Sequence, residues 1–250
     1  MKQNKKQANP VALVTGSARR IGAEILRTLH QAGFNVVIHC YHSIAEANAL
    51  AEPLNNKRQN SALVKSYDLR LPDAGEILIN AVLAWHGRLD LVINNASCFV
   101  HDDELEKKPC LQHELYALNV LAPWNISLKA APLLAQHQGS IINITDIHAD
   151  KPLKGYISYC QTKAALVTQT KGLARKLAPL IRVNAVAPGA IAWPEEGNTL
   201  SEDLKKEIIN KTPLQCHGQP AYIAQAVMAL VANPFITGQV ITVDGGRSVV

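Results

Sequence analysis

No stretch of this 250-residue chain approaches the roughly 20 consecutive apolar residues of a membrane-spanning helix, so no membrane partner is expected. Met1 to Pro10 holds Lys2, Lys5 and Lys6 but lacks an apolar core. It reads as a flexible basic leader rather than a secretory signal. Cysteine is sparse: Cys40, Cys98, Cys110, Cys160 and Cys216 are scattered and never spaced as C-x-x-C. That pattern speaks against a disulfide scaffold or a metal site and fits reduced thiols in a cytoplasmic protein. Only 5% of residues are aromatic, and the net charge of +5 is not gathered into a stripe beside an aromatic platform. A nucleic-acid partner is therefore not expected, whereas a small anionic ligand suits the charge. Repeats, low-complexity tracts and linkers are also missing, which predicts a single domain over 1–250.

What the chain does have is alternation. Short β-branched runs at Val11–Thr15, Asn35–His39, Ala62–Tyr67, Leu89–Asn94, Ser140–Thr145, Ile181–Val186 and Val240–Val243 read as strands. Amphipathic segments at Arg20–Ala32, Ile44–Leu54, Ala74–His86, Leu111–Ala135, Tyr156–Leu177, Glu202–Asn210 and Ala221–Val231 read as helices. Pro53 is expected to end the second helix and Pro123 marks a candidate kink in the fourth. This spacing predicts an α/β fold of the doubly wound Rossmann type, with a central parallel sheet flanked by helices on both faces. Ligands of such sheets bind at the carboxyl ends of the strands. The longest segment without periodicity, 189–201, is a candidate lid containing Trp193.

The first strand runs into Thr15-Gly16-Ser17-Ala18-Arg19-Arg20-Ile21-Gly22 and then a helix. Glycines there let backbone approach phosphate, and a helix N-terminus offers unpaired N–H groups and positive partial charge. Asn94-Asn95-Ala96 after the fourth strand, Tyr159-x-x-x-Lys163 on a helix and Pro188-Gly189 after the sixth strand stand in order with this turn. Together these residues resemble the short-chain dehydrogenase/reductase family over Val11 to Gly246. The resemblance implies a nicotinamide cofactor held by Gly16, Ser17, Arg19, Arg20, Ile21, Gly22, Asn95, Ala96, Ser97, Tyr159, Lys163, Pro188 and Gly189, with Asp68 and Leu69 flanking the adenine. NAD-binding chains place a carboxylate at the end of the second strand, for the ribose hydroxyl. Here the segment is His39-Cys40-Tyr41-His42-Ser43, with Arg19 and Arg20 nearby in the glycine loop, which favours NADPH.

Tyr159 and Lys163 share one helix face, and a buried ammonium beside a phenol is expected to lower the phenol pKa toward neutrality. By the resemblance, Asn119 supports a proton-relay water. The position 13 residues before the tyrosine holds Asp146, where ordinary family members have a serine facing a ketone oxygen. A carboxylate there suits reduction of a ring C=N bond, with a proton delivered to nitrogen. Asp146, Arg20 and Phe99 together resemble the pteridine reductases. That likeness implies a pterin or folate substrate contacted by Arg20, Ser97, Phe99, Asp146, Tyr159 and Trp193. His42, Val100 and Ile191 depart from the subfamily pattern. Two alternatives stay open: a carbonyl reductase acting on a ketone such as a 3-oxoacyl thioester, and a non-catalytic NADPH-binding protein. The resemblance also implies a homotetramer joined through the two long helices. His101-Asp102-Asp103-Glu104 reads as a solvated lid.

Overall fold

The computed structural model describes residues 9–193 and 200–250. Most of the basic leader and residues 194–199 of the candidate lid lie outside the described residues.

Seven strands form one parallel sheet: β1 (Val11–Val14), β2 (Asn35–Cys40), β3 (Ala62–Ser66), β4 (Leu91–Asn94), β5 (Ser140–Ile144), β6 (Arg182–Pro188) and β7 (Val240–Val243). Their order is β3-β2-β1-β4-β5-β6-β7. The order reverses between β1 and β4, which pair Ala12 with Leu91 and Val14 with Ile93. A crevice opens at the carboxyl ends of the strands at such a reversal. β1, β2, β4 and β5 are buried at every position. That explains why these strands read as continuous apolar runs rather than as alternation.

One sheet face is covered by α1 (Arg20–Gln31), α2 (Ile44–Lys57) and α9 (Pro220–Ala232), over a core that includes Ile25, Leu29, Leu50, Leu54, Ile223 and Val227. The other is covered by α3 (Ala74–His86), α6 (Ala122–Ala135) and α7 (Ile157–Leu177), over Leu78, Val82, Ile126, Leu134 and Leu173. Three shorter helices, α4 (Asp102–Lys107), α5 (Cys110–Tyr116) and α8 (Glu202–Asn210), sit in the connections. Among the described residues no helix is long and apolar enough to cross a membrane.

Two helices depart from the reading of the sequence. α2 runs past Pro53 to Lys57. Ala47, Leu50, Ala51 and Leu54 form one buried face, and that packing outweighs the missing proline N–H. The segment expected as one helix over Leu111–Ala135 contains a π turn at Ala117–Leu121, where the Ala122 amide donates to the Ala117 carbonyl. Pro123 has no N–H to give the Asn119 carbonyl, so the irregularity sits just before the proline.

Candidate active site

The turn after β1 is shaped by contacts that only glycine permits. Gly16 has φ +59°, and a Cβ there would lie 2.8 Å from Ala96 Cα. At Gly22 a Cβ would lie 2.6 Å from the Gly16 carbonyl oxygen and 2.7 Å from Asn95 Nδ2. Asn95 Nδ2 donates to the Thr15 and Gly16 carbonyls, both at 2.9 Å. Thr15 Oγ1 accepts the amides of Asn95 and Ala96 at 2.9 and 3.0 Å. The ends of β1 and β4 are thus stapled across the strand-order reversal. Ile21 packs on the core, and the Arg19 side chain is exposed at the N-cap of α1, where an arginine has no acceptor to cap the helix. A glycine cradle and an uncapped helix start fit the pyrophosphate of a dinucleotide.

Arg20, in the middle of this turn, takes a left-handed conformation, φ +54°. A side chain there costs about 1 kcal/mol. Its guanidinium donates to the carbonyls of Ala192 and Trp193, both at 2.9 Å. Trp193 in turn stacks on His217, with ring centroids 4.3 Å apart. The glycine turn and the start of the 189–201 segment are therefore joined.

Two expectations for the cofactor side, those for His39 and Ser17, need correction. His39 does not present a cation to solvent. It is buried, its Nδ1 accepts the Gly16 amide at 3.0 Å, and its Nε2–H donates to the Tyr67 carbonyl at 3.0 Å. Burial holds its pKa down at about 4, so it is a neutral brace between the turn and β3. Ser17 is also buried; its hydroxyl donates to the Val14 carbonyl at 2.7 Å and its amide to the His39 carbonyl at 2.9 Å. It shapes the turn from inside. Asp68 is engaged by Arg70, which donates to both carboxylate oxygens and also pairs with Glu114, and these bonds lower the Asp68 pKa. Leu69 is buried beside it. His42 is exposed and Ser43 half-buried at the end of β2. Arg70 lies over the Tyr41 ring at 5.4 Å.

At the chemical end, Tyr159 and Lys163 lie on the buried face of α7. Tyr159 Oη donates to Asp146 Oδ2 at 2.8 Å. The other oxygen, Oδ1, accepts the His148 amide at 2.9 Å and caps the short helical turn Ile147–Ala149. Lys163 Nζ donates to the Ile144 carbonyl at 3.1 Å and stands 5.6 Å from the Tyr159 ring centre. Burial lowers the Lys163 pKa from 10.5 to about 8. The Tyr159 phenol is shifted in the direction opposite to expectation. Burial raises it well above its ordinary value, and the Asp146 carboxylate adds to the rise by charge and by hydrogen bond. The phenol is thereby held as a proton donor.

Asn119 is almost fully buried and committed to structure. Its Oδ1 accepts the Cys98 amide and its Nδ2 donates to the Cys98 carbonyl, both at 3.0 Å; Nδ2 also donates to Thr162 Oγ1 at 3.1 Å. It thus fixes the segment carrying exposed Ser97 and half-buried Phe99. Phe99 stacks on Tyr156 with centroids 4.1 Å apart and meets Tyr159 edge-on at 4.7 Å. Pro188 is the last residue of β6, and the Gly189 amide donates to the Val243 carbonyl at 3.0 Å. A Cβ on Gly189 would meet Asp244 at 2.6 Å.

Sequence reading passed over Tyr156, Arg70 and His217. Tyr156 stands three residues before Tyr159, a spacing that places both on one helix face. Arg70 and His217 carry no comparable local signal.

A family model described as enoyl-(acyl carrier protein) reductase matches residues 16–248. A granaticin polyketide synthase ketoacyl reductase of Streptomyces violaceoruber is 34% identical over 242 residues, covering 95% of each chain. Pteridine reductase 1 of Leishmania tarentolae is 32% identical over 281 aligned positions, covering 96% of each. A 3-oxoacyl-[acyl-carrier-protein] reductase of Staphylococcus aureus is 34% identical over 241 residues, covering 94% of this chain and 96% of its own.

Proposed function

Because the chain belongs to the short-chain dehydrogenase/reductase family of oxidoreductases, we propose that it reduces a pterin or folate at a ring C=N bond with NADPH. The observation that carries the proposal is the 2.8 Å hydrogen bond from the Tyr159 phenol to the Asp146 carboxylate. A fixed negative charge beside the proton donor disfavours a substrate oxygen that turns anionic, and suits a ring nitrogen that ends protonated.

When bound, a nicotinamide cofactor would supply a hydride to the ring carbon. The chain supplies the proton: Tyr159 Oη gives it to the adjacent nitrogen while Asp146 orients the phenol. The buried Lys163 Nζ, one helical turn on, stabilises the oxygen left behind. Contact with a flat heterocycle is assigned to Phe99, whose ring stacks on Tyr156, and to Ser97, Arg20 and Trp193. Gly16, Gly22, Asn95 and Ala96 shape the dinucleotide cradle. Arg19, His42 and Ser43, without a carboxylate at the end of β2, favour a 2′-phosphate. A homotetramer through α6 and α7 belongs to the same proposal, supported by Leu121, Trp124 and Ile157, which remain exposed on the single chain.

The relatives named as ketoacyl reductases favour a second reading, in which the substrate is a 3-oxoacyl thioester. NADPH oxidation with a panel of dihydropterins, dihydrofolate and a short 3-oxoacyl thioester separates the two. Pterin-dependent oxidation is expected; turnover of the thioester alone would overturn the pterin reading.

A further inference from the structure

Asp102 makes three hydrogen bonds to one short stretch of chain. Its amide donates to the Gly155 carbonyl at 2.8 Å, and its carboxylate oxygens accept the amides of Ile157 at 2.8 Å and Ser158 at 3.2 Å. Those two amides open α7, where no earlier turn exists to accept them. Tyr156, the residue before the helix, supplies no side-chain cap. The cap comes instead from 55 residues upstream, and its negative charge matches the positive end of the helix.

The grip extends beyond these bonds. Gly155 has φ +78°, and a Cβ there would strike the His101 ring. That ring meets Tyr156 edge-on at 4.9 Å, Tyr156 stacks on Phe99, and Phe99 meets Tyr159. Leu105, Leu115, Tyr159 and Cys160 form a small core of their own, with Phe99 and Tyr156 packed against it. One segment, 98–105, thus holds the first turn of the helix that carries Tyr159. First turns are where helices fray, and Tyr159 is the third residue of α7.

We propose that Asp102 is a positioning residue for Tyr159: by capping α7 from the start of α4, it locks the wall bearing Ser97 and Phe99 to the helix bearing the proton donor. The substrate face and the donated proton then keep one spacing. The inference rests on the reading of Tyr159 as that donor.

The test compares Asp102→Ala with Asp102→Asn in the full chain, by steady-state kinetics with NADPH and dihydropterin and by amide hydrogen exchange over residues 156–160. The alanine variant is expected to exchange faster there and to lose kcat about tenfold or more, because small misplacements of reacting groups are costly. Its KM for NADPH is expected to stay within about twofold. Asp102→Asn keeps one acceptor oxygen and is expected to recover most of the kcat. Unchanged exchange, faster exchange with intact kcat, or equal losses in the two variants would each overturn the proposal. Should Asp102→Ala not fold, Asp102→Gln, which moves the acceptor by one methylene, takes its place in the same comparison. If the wild-type chain turns over no pterin and no thioester, the proposed function fails by itself. Exchange at Tyr159 then decides the cap: faster exchange supports it and unchanged exchange overturns it.

Discussion

The Tyr159 hydroxyl and the Asp146 carboxylate, 13 residues apart in the chain, share one 2.8 Å hydrogen bond in which the phenol is the donor. The second carboxylate oxygen is occupied by the His148 amide. Asp146 is therefore held at both oxygens, and the phenol proton has a defined direction. Tyr159→Phe is expected to lower turnover by about 100-fold or more while leaving NADPH affinity, read by fluorescence titration, nearly unchanged. Asp146→Ser keeps an acceptor for the phenol but removes the charge. It is expected to lose pterin turnover and to gain activity on a 3-oxoacyl thioester, and a rise in pterin turnover would contradict the role given to the charge.

Lys163 bears on stability with the opposite sign from its role in the chemistry. Its pKa in the folded chain is about 8, against 10.5 when exposed. Below pH 8 the folded state carries a buried ammonium that is better solvated in the unfolded chain, a cost of about 3 kcal/mol before other contacts are counted. Lys163→Met is expected to abolish turnover and to raise resistance to urea at pH 7. Loss of the bond to the Ile144 carbonyl offsets about 1 kcal/mol of the gain. The advantage of the variant is expected to shrink as the pH rises from 8 through 10.5, above which the lysine is neutral in both states.

His39 supplies a pH response on the acid side. Its folded pKa of about 4 lies below the ordinary 6.5, so the unfolded chain binds the extra proton first as the pH falls. The neutral brace contributes fully above pH 6.5 and loses ground between 6.5 and 4, by about 2 kcal/mol at pH 5. Urea midpoints at pH 7 and pH 5 are expected to differ more in the wild type than in His39→Gln. A drop of equal size in that variant would assign the acid sensitivity elsewhere.

Cofactor preference is expected to follow the cations and not the buried imidazole. Arg19→Ala should weaken NADPH binding by about tenfold and leave NADH nearly unaffected, since one charge-assisted phosphate contact is removed. Equal weakening of both cofactors would place Arg19 on the shared pyrophosphate instead.

The parts of the molecule governed by local rules were legible before the fold. Buried parallel strands appear as apolar runs, Gly16 and Gly22 mark a turn with no room for a side chain, and the Tyr159–Lys163 spacing puts both residues on one helix face. What escaped depends on partners distant in the chain. His39 reads as a surface cation until β3 brings the Tyr67 carbonyl to its ring. Asp102 reads as one charge in a solvated acidic run until the fold delivers the start of α7 to its carboxylate. Pro53 reads as a stop, yet Leu50 and Leu54 bury enough surface to carry α2 through it.

The π turn at Ala117–Leu121 makes this chain intolerant of tidying. Deleting one residue from the turn would give a more regular helix, because a single extra residue is what widens it. The same deletion would rotate one side of the helix against the other by about 100° and swing the Asn119 amide off the Cys98 backbone. A shorter variant would gain helical order and lose the anchor of the wall that bears Phe99. Length variation among functional relatives is therefore expected to fall in the loops on either side of this helix and to spare the turn itself.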